Sequence, residues 1–149
     1  WQTIEAWVAR RAAADLVLIA TPRWNFGIPY KLKHWIDLVT QPGLSFSFDP
    51  ARGYSPLLRP RPTLAIVASA GDYSDGPSWG RPDLATPYLK AALRFIGLGE
   101  ISVLGQGPTV GPAPAVEAAR DKAHAKLSEL AGACAAGPGP ADAGLARLA

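Results

Sequence analysis

The chain has a single cysteine, Cys134, and only two histidines, His34 and His124. One thiol cannot form an internal disulfide or a thiolate metal site, and its scarcity favours a cytoplasmic protein. Each histidine stands alone on a predicted helix, and no His/Cys/Asp cluster has the spacing of metal ligands. We therefore expect no metal in the function of this chain.

Long apolar runs and blocks of charge are also missing. No segment approaches the ~20 apolar residues that a membrane-spanning helix needs, and no signal peptide is recognisable. Lys and Arg number 15 against 12 Asp and Glu, a net charge of +3 without a basic block. This balance is typical of a solvated surface, so neither a membrane nor a nucleic acid is an expected partner.

Three common enzyme motifs are absent. The glycines of residues 105–111 have the wrong spacing for a dinucleotide fingerprint, and Pro108 interrupts them. No Walker sequence occurs, and Ser69 is not in a Gly-x-Ser-x-Gly elbow. Nucleotide binding through a phosphate loop of these kinds and serine hydrolysis are therefore disfavoured.

The apolar residues that are present predict one α/β domain, followed by a tail. Buried strands are predicted at 16–20, 63–68 and 101–104, and they alternate with helices at 2–13, 29–39, 86–96 and 113–131. Such alternation predicts an open parallel sheet with helices on both faces over residues 1–131. The Ala/Gly/Pro-rich residues 132–149 are predicted to be disordered.

The N-terminal region predicts an incomplete domain. The chain opens at Trp1, inside a helix that is already under way, and only three strands are recognisable. Small doubly wound domains usually have five, so we expect a truncation that removes the first strand. The strand at 16–20 would then have a bare apolar edge, which invites association with other chains.

Polar, glycine-containing loops follow the first two strands. Because ligands of open α/β sheets bind at the carboxyl ends of the strands, residues 23–27 and 69–73 are the candidate site. Asn25 offers an amide of mixed donor and acceptor character, and Trp24 and Phe26 offer flat apolar surface. Gly27 and Gly71 would allow close approach of a ligand to the backbone. The competing interpretation is an Asx turn at Asn25 with the two aromatic rings filling the core.

A third candidate is the long segment 41–62, which is rich in Pro, Gly, Ser and Arg and is predicted to be a loop. Loops of this length are more often functional than idle. It is predicted to serve as a lid or as an arm that faces a partner.

Three stretches together resemble the FMN-dependent NADH-azoreductases, flavodoxin-like enzymes related to the NAD(P)H quinone reductases. They are residues 20–26 (ATPRWNF), residues 69–72 (SAGD), and residues 75–77 with 83–98 (DGP, DLATPYLKAALRFIGL). The similarity covers residues 13–131. It implies a flavodoxin-like fold, FMN as cofactor, and a homodimer with the site near the subunit boundary.

The resemblance also implies the roles of individual residues. Hydride transfer from NADH or NADPH through the flavin to a flat aromatic azo compound or quinone would follow a ping-pong order, and no protein group is expected to act as a catalytic acid. From their aromatic character, Phe46 and Tyr73 are expected to line the substrate site, with Phe48 and Trp79 as further candidates; ordinary loop packing or a dimer contact is the alternative for each of the four. The expected flavin contacts are Pro22, Arg23, Trp24, Asn25, Phe26, Gly27, Ser69, Ala70, Gly71 and Asp72.

The sequence departs from this family in two ways. The family's second loop typically has Arg and Gly where this chain has Ala70 and Asp72, so a positive group is lost and a negative one is gained. We expect this to lower the flavin's reduction potential. The Ser-rich loop that holds the FMN phosphate in the family is absent from this sequence. A non-catalytic flavin-binding or interaction module, or an inactive fragment, therefore stands as the alternative to an oxidoreductase.

Overall fold

The computed structural model describes residues 1–135 of the 149-residue chain. These residues form four helices, a three-stranded parallel sheet and a two-stranded hairpin. The helices are α1 (Gln2–Ala13), α2 (Tyr30–Val39), α3 (Ala85–Phe95) and α4 (Ala113–Ala135). The strands are β1 (Val17–Pro22), β2 (Phe46–Asp49), β3 (Gly53–Pro56), β4 (Thr63–Ala68) and β5 (Ile101–Gln106).

The main sheet has the order β1-β4-β5, with both pairs parallel. Alternate side chains face opposite sides of a strand. The first face carries Ala65 and Val67 of β4 and Ile101 of β5, and these pack in one core cluster with side chains of α1, α2 and α3. Helix α4 packs against β5, and its buried Ala123 and Leu130 are outside that cluster. The α/β class predicted from the sequence is confirmed.

Strand β1 is longer and more exposed than the sequence predicts. It continues through Thr21 to Pro22, although proline was expected to end it. Val17 N–H donates to Pro62, just before β4, and Arg23 N–H donates to Ala68 at the end of β4. Residues of odd number therefore bond to this neighbour, and Pro22 has its nitrogen on the open side, where no ladder bond is lost. The prediction that this strand is buried on both faces is wrong, because Leu18 is 58% exposed beside the unpaired edge.

An open groove of about 470 Å³ follows this edge, between β1 and the facing sides of α1 and α2. Its lining includes Trp7, Leu18 and Trp35, together with the guanidinium of Arg11. All three nitrogens of that guanidinium are buried without a hydrogen-bond partner among the described residues. Burial, and then the nearby charge of Arg61, lower the pKa of Arg11.

The segment predicted as the 41–62 loop contains the antiparallel hairpin of β2 and β3. Phe46 of this hairpin packs against Phe95 at the C-terminal end of α3, with ring centroids 4.8 Å apart, and Tyr54 contacts both rings. The aromatic residues give the hairpin a small core of its own, which is why an apparent loop is ordered here.

Helix α4 extends four residues beyond the predicted end. Residues 132–135 are helical rather than disordered, because alanine-rich sequence tolerates one glycine, Gly132, within a helix. The rest of the predicted tail, residues 136–149, lies outside the described residues. Within residues 1–135, no helix combines the length and the apolar character that crossing a bilayer would require.

Candidate functional site

The parallel pairing of β1 with β4 brings the two predicted loops to the same edge of the sheet. Pro22 is paired in register with Ala68, and Arg23 N–H donates to the Ala68 carbonyl at 2.7 Å. The loops that begin at residues 23 and 69 therefore start side by side at the carboxyl ends of their strands. This is the position where ligands bind in open α/β sheets.

The first loop is a two-residue turn that presents its aromatic rings to solvent. Trp24 N–H donates to the Gly27 carbonyl at 3.0 Å, and Gly27 N–H donates back to Trp24 at 2.9 Å. Asn25 and Phe26 at the tip have φ of 47° and 71°, a left-handed conformation that is uncommon for a bulky residue. Trp24 is 54% exposed and Phe26 45% exposed, so neither ring fills the core.

The side chain of Asn25 is exposed, and its amide makes no hydrogen bond within the described part of the chain. The competing interpretation, an Asx turn at Asn25, therefore does not describe this loop, because the backbone hydrogen bonds between Trp24 and Gly27 close it. Gly27 has no heavy atom within 4 Å of the place where a Cβ would stand. The turn thus combines a free amide, two exposed rings and open space.

Arg23 has a different position from the one expected of a flavin contact. Its Nε donates to Ser69 Oγ at 3.1 Å, its Nη1 forms an ion pair with Asp83, and its guanidinium lies 3.9 Å from the centre of the Tyr73 ring. Only 7% of the Arg23 side chain is exposed. The residue fastens three segments together beneath the surface where a ligand would lie.

Asp83 was not assigned a role from sequence. Its Oδ1 accepts the N–H groups of Ala85 and Thr86, both at 2.9 Å, and so caps the start of α3. Burial by itself raises the pKa of the Asp83 carboxyl. The hydrogen bonds from Arg23 and Thr86 and the charge of Arg23 outweigh that effect and lower the pKa to about 2. An acidic residue three positions before the predicted helix of residues 86–96 was the available signal.

The second loop is held by the segment that follows β5. Ser69 N–H donates to Gln106, and the Ser69 carbonyl accepts the N–H of Thr109, both at 2.9 Å, while Ser69 itself is buried. Beyond it Ala70 is exposed, and neither Ala70 N–H nor Gly71 N–H donates to a described residue. The Ala70 N–H is available at the same edge as Asn25, whereas Gly71 is buried.

Gly71 and Asp72, the next two residues of the second loop, each contact a residue further along the chain. A Cβ on Gly71 would lie 2.0 Å from Ser78 Oγ, so the close approach that requires glycine is to Ser78 within the chain. Asp72 is exposed, and its Oδ1 accepts Ser74 N–H at 2.9 Å, which lowers the pKa of the carboxyl. The lowered pKa keeps the Asp72 carboxylate negatively charged at neutral pH, on the exposed surface of the second loop.

The predicted substrate residues are separated in this chain. Tyr73 lies under the Arg23 guanidinium at the loops. Phe46 instead contacts Phe95, ten residues along α3 from Ala85, which corresponds to about 15 Å of helix. The structure does not bring Phe46 to the loops, because the hairpin packs against the opposite end of α3.

We tested whether the loops fit a flat cofactor such as a flavin ring. The Asn25 amide, the exposed Trp24 and Phe26, and the free N–H group of Ala70 match a ring that is apolar over its faces and polar along one edge. They fit the ring. Within residues 1–135 no group of three or more His, Cys, Asp or Glu side chains is arranged to hold a metal ion.

The parallel sheet β1-β4-β5 with helices packed on it, and the two loops at the carboxyl ends of β1 and β4, place the chain in the class of open α/β proteins to which flavodoxin-like proteins belong. The sequence profile of the flavodoxin-like fold matches residues 1–130, and the chain belongs to this family.

Curated relatives and solved structures agree with this assignment. The chain is 54% identical over 127 residues to FMN-dependent NADH:quinone oxidoreductase 1 of Bradyrhizobium diazoefficiens, covering 85% of this chain and 61% of the relative. It is 38% identical over 137 residues to FMN-dependent NADH:quinone oxidoreductase 3 of Pseudomonas fluorescens, covering 88% and 63%.

The structure of an FMN-dependent NADH-azoreductase of Bacillus anthracis, solved in complex with FMN, aligns with this chain with a TM-score of 0.71 and 26% sequence identity. The alignment covers 87% of this chain and 62% of the azoreductase. A second B. anthracis azoreductase has a TM-score of 0.75 at 22% identity, which supports the fold alone. The chain thus spans about three fifths of the length of these relatives.

Proposed function

We propose that this chain carries the ring-binding part of an FMN-dependent oxidoreductase that uses NADH or NADPH to reduce quinones or flat aromatic azo compounds. The observation that carries the proposal is the convergence of the two loops, fixed by the Arg23–Ala68 hydrogen bond. The choice of FMN and quinones is supported by the similarity to FMN-dependent NADH:quinone oxidoreductases, and that of azo compounds by the similarity to an FMN-dependent NADH-azoreductase.

Each part of the edge has a role in this proposal. The Asn25 amide donates to and accepts from the polar edge of the ring, because it has both groups free. Trp24 and Phe26 provide flat apolar surface, and the Ala70 N–H donates to a ring carbonyl oxygen. Arg23 is a positioning residue, since its donors are occupied by Ser69 and Asp83.

The chemistry that FMN supplies when bound is hydride transfer in two successive half-reactions, the ping-pong order, and the protein positions and tunes the cofactor. Asp72 places a carboxylate close to the polar edge, and Ala70 offers no compensating charge. Arg23 does not replace that charge, because it is paired with Asp83. We therefore propose a reduction potential below that of relatives with arginine at position 70.

The remaining expectations are part of the same proposal. We expect a cytoplasmic protein. We also expect a homodimer, in which the β2–β3 hairpin would lie near the second subunit. Phe46 would then contribute to a substrate site only from across that boundary. A non-catalytic flavin-binding or interaction module, or an inactive fragment, is the alternative.

The first experiment is titration of the purified chain with FMN, followed by quenching of flavin fluorescence. Asn25→Gly removes the amide and suits the left-handed φ of 47°, so the turn should survive. We expect about tenfold weaker FMN binding, the equivalent of one or two lost hydrogen bonds. Glu117→Gln, exposed on α4, is the control and should bind like the parent.

Turnover is measured next, by anaerobic addition of NADH and then of a quinone or an azo dye. Oxidation of NADH that depends on the acceptor supports the oxidoreductase. Binding of FMN without reduction by NADH or NADPH would favour the non-catalytic module. A chain that does not bind FMN at all, or an Asn25→Gly variant that binds it unchanged, would contradict the proposed ring site.

A further inference from the structure

A second exposed tight turn lies at the same edge of the sheet. Ser78 N–H donates to the Arg81 carbonyl at 3.1 Å, and Arg81 N–H donates back to Ser78 at 3.0 Å. Trp79 and Gly80 form the tip, with φ of 51° and 75°. Glycine or asparagine would be the favoured residue at the first of these positions, so a tryptophan there has a conformational cost.

The turn is firmly attached to both loops of the candidate site. Ser78 is buried against Gly71, where only glycine leaves room for it. A few residues later, Asp83 pairs with Arg23, and Leu84 N–H donates to the Phe26 carbonyl at 3.2 Å. The segment 78–84 therefore runs from the second loop to the first, and Trp79 projects from it.

Trp79 is 74% exposed, the highest value among the large apolar side chains of residues 1–135. The guanidinium of Arg81 lies 5.1 Å from its ring centre, within the range of a cation–π contact. No carboxylate in the described part of the chain pairs with Arg81, and its Nη2 is buried without an acceptor. An exposed flat ring thus stands beside an uncompensated positive charge.

We propose that Trp79 and Arg81 form a binding site for flat aromatic anions, in which the ring of the ligand stacks on Trp79 and its anionic group pairs with Arg81. The place of this site in catalysis rests on the proposed function. It would favour acceptors that carry a sulfonate or carboxylate over neutral ones, so that Trp79 and Arg81 determine substrate specificity.

The geometry favours a small ligand over a protein partner. The exposed ring stands on a turn of two residues whose ends are closed by hydrogen bonds, so its position is fixed before binding. Stacking requires only one flat face, and the adjacent charge selects among flat molecules. If Trp79 variants changed the self-association of the chain instead, the turn would be a protein interface.

Binding is tested without flavin. The chain is titrated with a naphthalenesulfonate and with the neutral naphthalenesulfonamide, while the indole N–H resonances of the five tryptophans are followed by NMR. Trp79→Phe identifies the Trp79 resonance by its loss. We expect that resonance to shift with the sulfonate, and affinity to be severalfold lower for the sulfonamide.

The variants separate the ring from the charge. Trp79→Gly suits the left-handed φ and should weaken the sulfonate about tenfold through lost stacking. Arg81→Met should weaken the sulfonate severalfold and leave the sulfonamide unchanged, and Arg81→Lys should restore most of the loss. Arg52→Met removes an exposed cation from the distant hairpin and should change nothing.

Three results would overturn the proposal. They are an unmoved Trp79 resonance, unchanged affinity in Trp79→Gly, and equal effects of Arg81→Met on both probes. A change in self-association by light scattering in Trp79→Gly, with probe binding unchanged, would assign the turn to a protein interface instead. Titration of the same variants with FMN distinguishes the Trp79–Arg81 site from the proposed flavin-dependent function. A chain that binds the naphthalenesulfonate but not FMN would contradict only the proposed function.

Discussion

The Arg23–Asp83 pair links three segments of the candidate site, and Asp83→Asn isolates its contribution. Asparagine is as good an N-cap as aspartate, so the cap of α3 should remain while the charge is lost. The difference between the ordinary pKa of 3.8 and about 2 in the folded protein corresponds to roughly 2 kcal/mol. Solvent screens part of this, because 27% of the Asp83 side chain is exposed. We expect Asp83→Asn to lower the free energy of unfolding by about 1 to 2 kcal/mol.

Asp83→Ala also removes the acceptor of the Ala85 and Thr86 N–H groups. It should cost about 1 kcal/mol more than Asp83→Asn. Urea unfolding followed by circular dichroism measures both values. Asp37→Asn, which breaks an exposed pair with Lys33, is the matched control and should have little effect.

The pH dependence has a defined sign. The pKa of Asp83 is lower in the folded chain than in the unfolded one, so its stabilisation is complete above about pH 4 and is lost as the pH falls toward 2. The difference between the parent and Asp83→Asn should therefore shrink over that interval. A difference below about 0.5 kcal/mol at neutral pH would refute the account, as would one that stays constant down to pH 2.

Four further outcomes are expected. Gly71→Ala should destabilise the chain by about 1 to 3 kcal/mol in urea unfolding, because its Cβ would lie 2.0 Å from Ser78 Oγ, and Ser78→Gly should restore most of the loss. Leu18→Lys, on the open edge of β1, should reduce association in light scattering; a parent chain that is already monomeric would contradict this. Ala70→Arg should raise the flavin potential in a redox titration, and no upward shift would count against the electrostatic argument. Phe46→Leu should lower stability by about 1 kcal/mol through the lost ring contacts, whereas a specific rise in acceptor KM would place Phe46 at the substrate site after all.

Local pattern was sufficient for the α/β class and for the placement of the two loops at one edge of the sheet. Apolar runs of six residues or fewer, bounded by Pro and Gly, predicted β1 and β4 to within two residues. Parallel pairing then required the loops at residues 23 and 69 to share one edge, since both follow the carboxyl end of a strand. The family resemblance added the proposed cofactor, which no periodicity could supply.

Contacts between distant residues were not predictable in the same way. Arg23 and Asp83 are 60 residues apart, so nothing local indicated that the arginine expected at the ligand would be buried in an ion pair. Phe46 and Phe95 likewise meet only because the hairpin packs against the far end of α3.

The amino-acid sequence by itself determined the alternation of strands and helices and the two loops of the candidate site, because hydrophobic periodicity and turn residues act within a few positions of the chain. Only the tertiary structure decided which side chains remain free for a ligand. Asn25 and Trp79 are exposed while Arg23, Ser69 and Gly71 are occupied within the chain, since each of these depends on a neighbour that the fold brings from elsewhere.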